Sequence, residues 1–220
     1  MDEKNEHIEN IEVETSVRGE LWREALSWIK TIVFALVFAW FFTNFIIINA
    51  IVPTGSMYGT IRERDRIVAF RLSYLFSDPS RYDIVVFRPG PDSDLWVKRV
   101  IALPGETVSI IDWRVHINGS DEPLAEDFVH SEFNHLSRHR HFPVAEFYPF
   151  NDYITVPEDG SPPYVTVPEG HFFVLGDFRD NSSDSRGMGN PGTLDTFVST
   201  EQILGRVLFR YFPGFARLTV

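Results

Sequence analysis

From Thr31 to Ile61 the chain carries no formally charged residue. This run limits the fold more than any other feature, because a helix uncharged on every face has no polar side to offer water. Its apolar part, Thr31 to Val52, spans roughly 33 Å as a helix at about 1.5 Å per residue, against a bilayer core of about 30 Å. Trp40, Phe41, Phe42 and Phe45 cluster in its second half, and Asn44 and Asn49 are tolerable near the exit. A buried core helix seldom stays uncharged for this length, and a cleavable signal peptide has a shorter apolar run and an A-x-A-like exit. The segment reads as a retained membrane anchor. Leu21, Trp22, Ala25, Leu26 and Ile29 recur at helical spacing, so the anchor helix is expected over residues 19–52. Ahead of it, residues 1–18 hold Glu3, Glu6, Glu9, Glu12 and Glu14 with little to pack, and read as a flexible acidic tail. Arg18, Arg23 and Lys30 precede the run, while Arg62, Arg64, Arg66 and Arg71 follow it. Positive charge therefore does not set the orientation.

Beyond the run the pattern changes to short β segments. Asp65 to Phe70 and Asp83 to Phe87 are β-branched and aromatic, each bounded by turn formers such as Asp78-Pro79 and Pro89-Gly90. Leu95 to Leu103 is a further strand closed by Pro104-Gly105. Thr107 to Ile117 reads as two more, with Asn118-Gly119 as a hairpin turn. Ser120 to Ser161 has no clean period, and an insertion is expected over about residues 107–165. Strand character returns at Tyr164 to Val167, His171 to Leu175 and Gln202 to Tyr211, around a polar loop from Gly176 to Asp195. Strands without alternating long helices predict a mainly β domain over residues 53–220, behind one transmembrane helix. A formal net charge of -11 argues against nucleic acid as a partner, because phosphate binding needs clustered Lys and Arg. With no cysteine there is no disulfide, thiolate metal site or cysteine nucleophile.

The stretch I-V-P-T-G-S-M-Y-G-T-I (51–61) leaves the anchor through a turn, since Pro53 fixes one backbone angle and Gly55 relaxes another. Ser56 sits at its centre. A serine in such a turn is usually only a turn residue, and as a nucleophile it needs a partner to take its proton. Among seven histidines, His116 and His171 sit in strand patterns, while His130, His135, His139 and His141 fall in the insertion without an H-E-x-x-H metal motif. Lys98 is the other candidate, in the middle of an otherwise apolar strand. As a surface lysine it has no role. As a buried amine its pKa falls by up to about 3–5 units from about 10.4, into the range of a general base. The loop G-D-F-R-D-N-S-S-D-S-R (176–186) reads either as a solvated loop or as a scaffold holding that amine.

Taken together, P-T-G-S-M (53–57), R-Y-D-I-V-V-F (81–87), K-R-V-I-A-L-P-G-E (98–106) and G-D-F-R-D-N-S-S-D-S-R (176–186) occur in the order found in type I signal peptidases. The chain resembles that family of membrane-bound Ser–Lys endopeptidases, which remove signal peptides from exported proteins. The resemblance implies a signal-peptidase-like β catalytic core with a β insertion. It implies Ser56 as nucleophile, Lys98 as general base, and Thr54 with the Ser56 N–H as the oxyanion hole. Ser182 matches the serine that hydrogen-bonds the lysine, and Asp184 and Arg186 match a structural ion pair. Val52, Met57, Val86 and Val97 match the lining of shallow apolar pockets for small side chains. The implied partners are signal peptides of secretory preproteins and the lipid bilayer, with no metal or organic cofactor. The implied place is the cytoplasmic (inner) membrane, single-pass, with the catalytic domain on the extracytoplasmic side.

Three positions depart from the family pattern. Gly59 stands where proline is usual, Tyr82 replaces the glycine of the R-G-D box, and Phe178 takes a slot often held by asparagine. Other readings remain open: a self-cleaving Ser–Lys repressor protease, a silent membrane-anchored binding module, and a metallo-hydrolase built on His130 to His141.

Overall fold

The computed structural model describes residues 2–112, 114–129, 154–186 and 196–218. The chain divides between Ile46 and Ile47 into two compact units.

The first unit is a helix, α1, over Asp2–Phe41, which widens into a π-helical turn over Phe42–Ile46. Within it Trp22–Ile46, 25 residues, is long and apolar enough to cross a membrane. Toward its end two polar side chains turn back onto the helix: Thr43 Oγ1 donates to the Ala39 carbonyl at 2.8 Å and Asn44 Nδ2 to the Trp40 carbonyl at 2.7 Å. In hydrocarbon such internal pairing replaces the water these groups would otherwise require. The expected boundaries need two corrections. Residues 2–18, expected as a flexible tail, are helical, as a glutamate-rich composition permits. The helix also stops at Ile46 and not at Val52, because Ile47–Ile51 forms strand β1. A β-branched stretch is better spent on a sheet when a partner strand is available.

Among the described residues the second unit holds two sheets. β2 (Arg66–Phe70), β3 (Ile84–Phe87), β4 (Trp96–Ala102), β9 (His171–Leu175), β10 (Val198–Ser199), β11 (Ile203–Phe212) and β12 (Ala216–Arg217) join β1 in an eight-stranded sheet. Its order is β1-β2-β11-β3-β4-β9-β10, with β12 on β11. The smaller sheet, ordered β6-β5-β8-β7, comprises β5 (Thr107–Ile111), β6 (Arg114–Ile117), β7 (Ile154–Thr155) and β8 (Tyr164–Thr166). It coincides with the expected insertion, whose residues 130–153 lie outside the described residues. Val108, Val115 and Val165 of the smaller sheet share a buried cluster with Ile101, Phe173 and Leu175 of the larger one. A mainly β domain behind one N-terminal apolar helix is therefore the observed architecture.

One turn falls elsewhere than expected. β5 and β6 connect through Asp112, at φ +47°, whereas Asn118 and Gly119, at φ +54° and +69°, turn the chain after β6. Ser120 N closes that second turn on the Ile117 carbonyl at 3.1 Å. Both turns have chemistry suited to positive φ; spacing alone favoured the stronger Asn-Gly signal.

Candidate active site

The segment after β1 is fixed before it reaches Ser56. Val52 N donates to the Asp65 carbonyl and Arg64 N to the Val52 carbonyl, at 2.9 and 2.8 Å. The turn itself closes from Tyr58 N to the Gly55 carbonyl at 2.9 Å, and Met57 and Ile61 bury their side chains beside Ile84 and Val86. Two apolar anchors thus hold a turn whose central serine faces inward, with Ser56 itself buried. Gly59 adopts φ +104°, a conformation closed to proline, so this turn cannot be the proline-fixed form.

Lys98 lies on β4, which runs between β3 and β9. It pairs with Val85 across the ladder and is 4% exposed. Its Nζ donates to Ser56 Oγ at 2.6 Å, although the two residues are 42 positions apart. Burial pushes the amine from its ordinary 10.5 down to about 8, with Arg186 acting in the same direction and Asp184 and Asp177 opposing. An amine with that pKa keeps a neutral fraction of roughly a tenth to a fifth near physiological pH, far more than an ordinary lysine. At this distance a neutral amine can accept a hydroxyl proton.

The loop after β9 forms the third wall. Gly176 N donates to Asp184 Oδ2 at 3.0 Å, and Arg186 Nε to Asp184 Oδ1 at 2.8 Å. Burial pushes the Asp184 carboxyl up, but the Arg186 guanidinium, the Gly176 N–H and the Ser182 hydroxyl together hold it below the usual carboxylate range. Ser182 is buried against Gly176, and Phe178 N donates to the Ser56 carbonyl at 3.0 Å. The loop therefore grips the backbone of the serine turn directly.

Between these walls lies a cavity of about 390 Å³. Val52, Met57 and Val97 line it, with Thr54, Ser56 and Lys98. Thr54 is exposed. Val86 is fully buried in the apolar cluster behind Met57 and is not part of this lining, so its expected place in the pocket wall is corrected to a supporting one. It lies on β3, whose four residues are all buried by neighbouring strands.

Sequence reasoning missed an ion pair beneath the site. Arg99 donates through Nε and Nη2 to both carboxylate oxygens of Asp177, at 2.8 and 2.6 Å, with both side chains buried. Thr60 Oγ1 donates to the same Asp177 at 2.6 Å. This latch joins the strand of Lys98, the loop of Gly176 and the turn of Ser56. The available signal was Arg99 itself, since a charge in an apolar strand demands a partner. Tyr82 takes φ +73°, a conformation costing an L-residue roughly 1–2 kcal/mol, at the position where the R-G-D box has glycine.

Neither strand histidine is part of this site: His116 Nδ1 meets the Ser120 carbonyl and His171 Nδ1 the Glu169 carbonyl, each at 2.8 Å. His130, His135, His139 and His141 lie outside the described residues. Among the described residues no group of three or more His, Cys, Asp or Glu is arranged to hold a metal ion.

Comparison with known proteins places these residues in context. A family model described as signal peptidase, peptidase S26, matches residues 25–212. The chain is 33% identical over 201 residues to the probable signal peptidase I-1 of Synechocystis sp., covering 88% of this chain and 85% of that protein. It is 34% identical over 193 residues to the signal peptidase I of Leptolyngbya laminosa, covering 84% and 78%. It is 33% identical over 198 residues to signal peptidase I S of Bacillus subtilis, covering 87% and 91%.

Proposed function

We propose that this chain, which belongs to the signal peptidase family, peptidase S26, and is a peptidase that cleaves signal peptides, works through a dyad of Ser56 and Lys98. The observation that carries this reading is the 2.6 Å contact between Lys98 Nζ and Ser56 Oγ. Neutral Lys98 takes the Ser56 proton as the hydroxyl oxygen attacks the scissile carbonyl. The resulting oxyanion is bound by the Ser56 N–H and the Thr54 hydroxyl. Lys98, now protonated, gives its proton to the leaving amine. It then activates a water that hydrolyses the ester and frees Ser56. No metal or organic cofactor takes part.

Val52, Met57 and Val97 receive small side chains near the cut, with Val86 packed behind them. Ser182 orients the lysine, while Asp184 and Arg186 brace the loop. A hydroxyl suits the orienting role, because a carboxylate in direct contact would raise the lysine pKa and keep it charged.

Trp22–Ile46 anchors the chain in the cytoplasmic (inner) membrane as its one span, with the catalytic domain on the extracytoplasmic side. Ser56 follows that span by a short stretch of chain, which suits a substrate whose own cleavage site emerges at the bilayer surface.

The test is cleavage of an exported precursor in detergent by wild type, Ser56→Ala and Lys98→Met. Loss of cleavage in both folded variants is expected. Cleavage at the wild-type rate by either rejects the dyad, and inhibition by chelators points instead to a metal-dependent hydrolase.

A further inference from the structure

Below the dyad, the chain leaving the smaller sheet returns to the larger one. Tyr82 OH donates to the Ala125 carbonyl at 2.9 Å, and the Tyr82 ring meets that of Phe128 edge-on at 5.5 Å between centroids. Phe128 also lies under the Arg99 guanidinium, 4.0 Å from ring centre to Cζ. Arg99 Nη1 donates to the Tyr82 carbonyl at 3.0 Å, so the three residues close a ring of contacts. Two residues before Phe128, Glu126 pairs with Arg179, and the Arg179 carbonyl accepts from Arg186 Nη2 at 2.9 Å.

These contacts converge on groups that carry the site. Arg99 is the neighbour of Lys98 on β4 and grips Asp177, which follows Gly176 and accepts from Thr60. An aromatic face over a guanidinium both attracts it and keeps water from competing for its carboxylate partner. Tyr82 holds a backbone conformation that side chains rarely adopt, and such residues persist where surrounding contacts fix them.

We infer that Tyr82 and Phe128 are positioning residues for the Ser56–Lys98 pair, acting through Arg99 and Asp177. The segment around 125–128 is thereby a brace, through which the insertion sets the geometry of the catalytic core. This rests on the dyad proposed above. The charges facing Lys98 are Asp177, Asp184 and Arg186; those around the brace are Arg81, Arg99, Glu126, Asp127 and Arg179. None is altered by changing Phe128 or Tyr82, so a shift in the lysine's titration reports geometry and burial.

The experiment compares full-length wild type, Phe128→Ala, Phe128→Leu and Tyr82→Phe in detergent. Precursor cleavage is measured over pH, with kcat and KM separated and folding checked by thermal melting. Phe128→Ala is expected to lower kcat at least tenfold, leave KM within about twofold and move the acid limb toward higher pH, as the amine loses burial. Phe128→Leu recovers part of kcat, and Tyr82→Phe loses severalfold. Combining Phe128→Ala with Arg99→Lys costs less than the product of the two single effects, because both act through one contact. A melting temperature that falls while kcat and the acid limb stay at wild-type values overturns the inference. If Phe128→Ala does not fold, wild-type kcat and acid limb in both Phe128→Leu and Tyr82→Phe overturn it equally. Ser56→Ala and Lys98→Met run in the same assay separate the two readings: activity there rejects the dyad, whereas inactivity there beside wild-type behaviour in the brace variants rejects the brace alone.

Discussion

Gly176 approaches Ser182 so closely that a Cβ on the glycine would overlap the serine Oγ and lie 2.5 Å from the backbone carbonyl oxygen of Ser56. Rotating the hydroxyl would leave the Ser182 Cβ only 2.7 Å away, and the carbonyl belongs to the turn that carries the nucleophile. Gly176→Ala must therefore displace either the loop or the turn. We expect a loss of cleavage of at least a hundredfold, together with a destabilisation of a few kcal/mol, read by a precursor assay and by thermal unfolding. A fully active Gly176→Ala would show that this packing yields without consequence.

Lys98 gives a second prediction. With its pKa held near 8, the neutral base becomes the majority form only above that pH. The profile of kcat/KM should rise about tenfold per pH unit below roughly 8 and level off above it. A flat profile across this range would argue that another group accepts the proton.

The same shift sets a stability trend. Between pH 8 and 10.5 the folded chain holds fewer protons on Lys98 than the unfolded chain, so stability rises with pH across that window. Below pH 8 the full cost of the buried amine is present, about 3 kcal/mol at 1.36 kcal/mol per unit. Lys98→Met removes that cost and one hydrogen bond of about 1 kcal/mol. It should unfold at higher temperature than wild type at pH 7 while cleaving nothing, with the gap closing toward pH 10.5. A lower melting temperature at pH 7 counts against this.

Asp184 behaves in the opposite sense. Its carboxyl is held below its ordinary 3.8, so the stability it contributes is present above that pH and disappears as pH falls through the folded-state pKa. Asp184→Ala leaves the Arg186 guanidinium buried without its carboxylate and should cost about 3–5 kcal/mol. Acid titration of unfolding should show a drop below pH 3.8 in wild type that is weaker in Asp184→Asn.

Gly59→Pro tests the turn from the other side. The substitution restores the residue usual in the family pattern, yet φ +104° lies far from the value near -65° that proline imposes. We expect reduced cleavage and a lower melting temperature. A stabilised, active Gly59→Pro would mean that the backbone of this turn is readily rebuilt.

The linear pattern carried a good deal of the architecture. β2, β3, β4, β9 and β11 coincide within a residue or two with runs of β-branched and aromatic residues between turn formers. The very short strands β7, β10 and β12 were not legible, because a two-residue bridge exists only where a neighbour pairs with it. At the site, Ser56, Lys98 and the 176–186 loop could be singled out, whereas the Arg99–Asp177–Thr60 latch could not. Alternation put Arg99 on the face opposite Lys98 but did not say what waited there.

What the order of residues settled unaided is whatever repeats over a few positions: an uncharged stretch that no watery surface can hold, and alternating runs that make strands. Only the three-dimensional arrangement decided where the helix gives way to β1, and that Val86 sits behind the cavity lining. It alone put an amine from β4 beside a hydroxyl 42 residues away. The reason is physical: pairing and desolvation depend on which distant segments close around a group, and β3, β9 and the Gly176 loop supply that enclosure from separate parts of the chain.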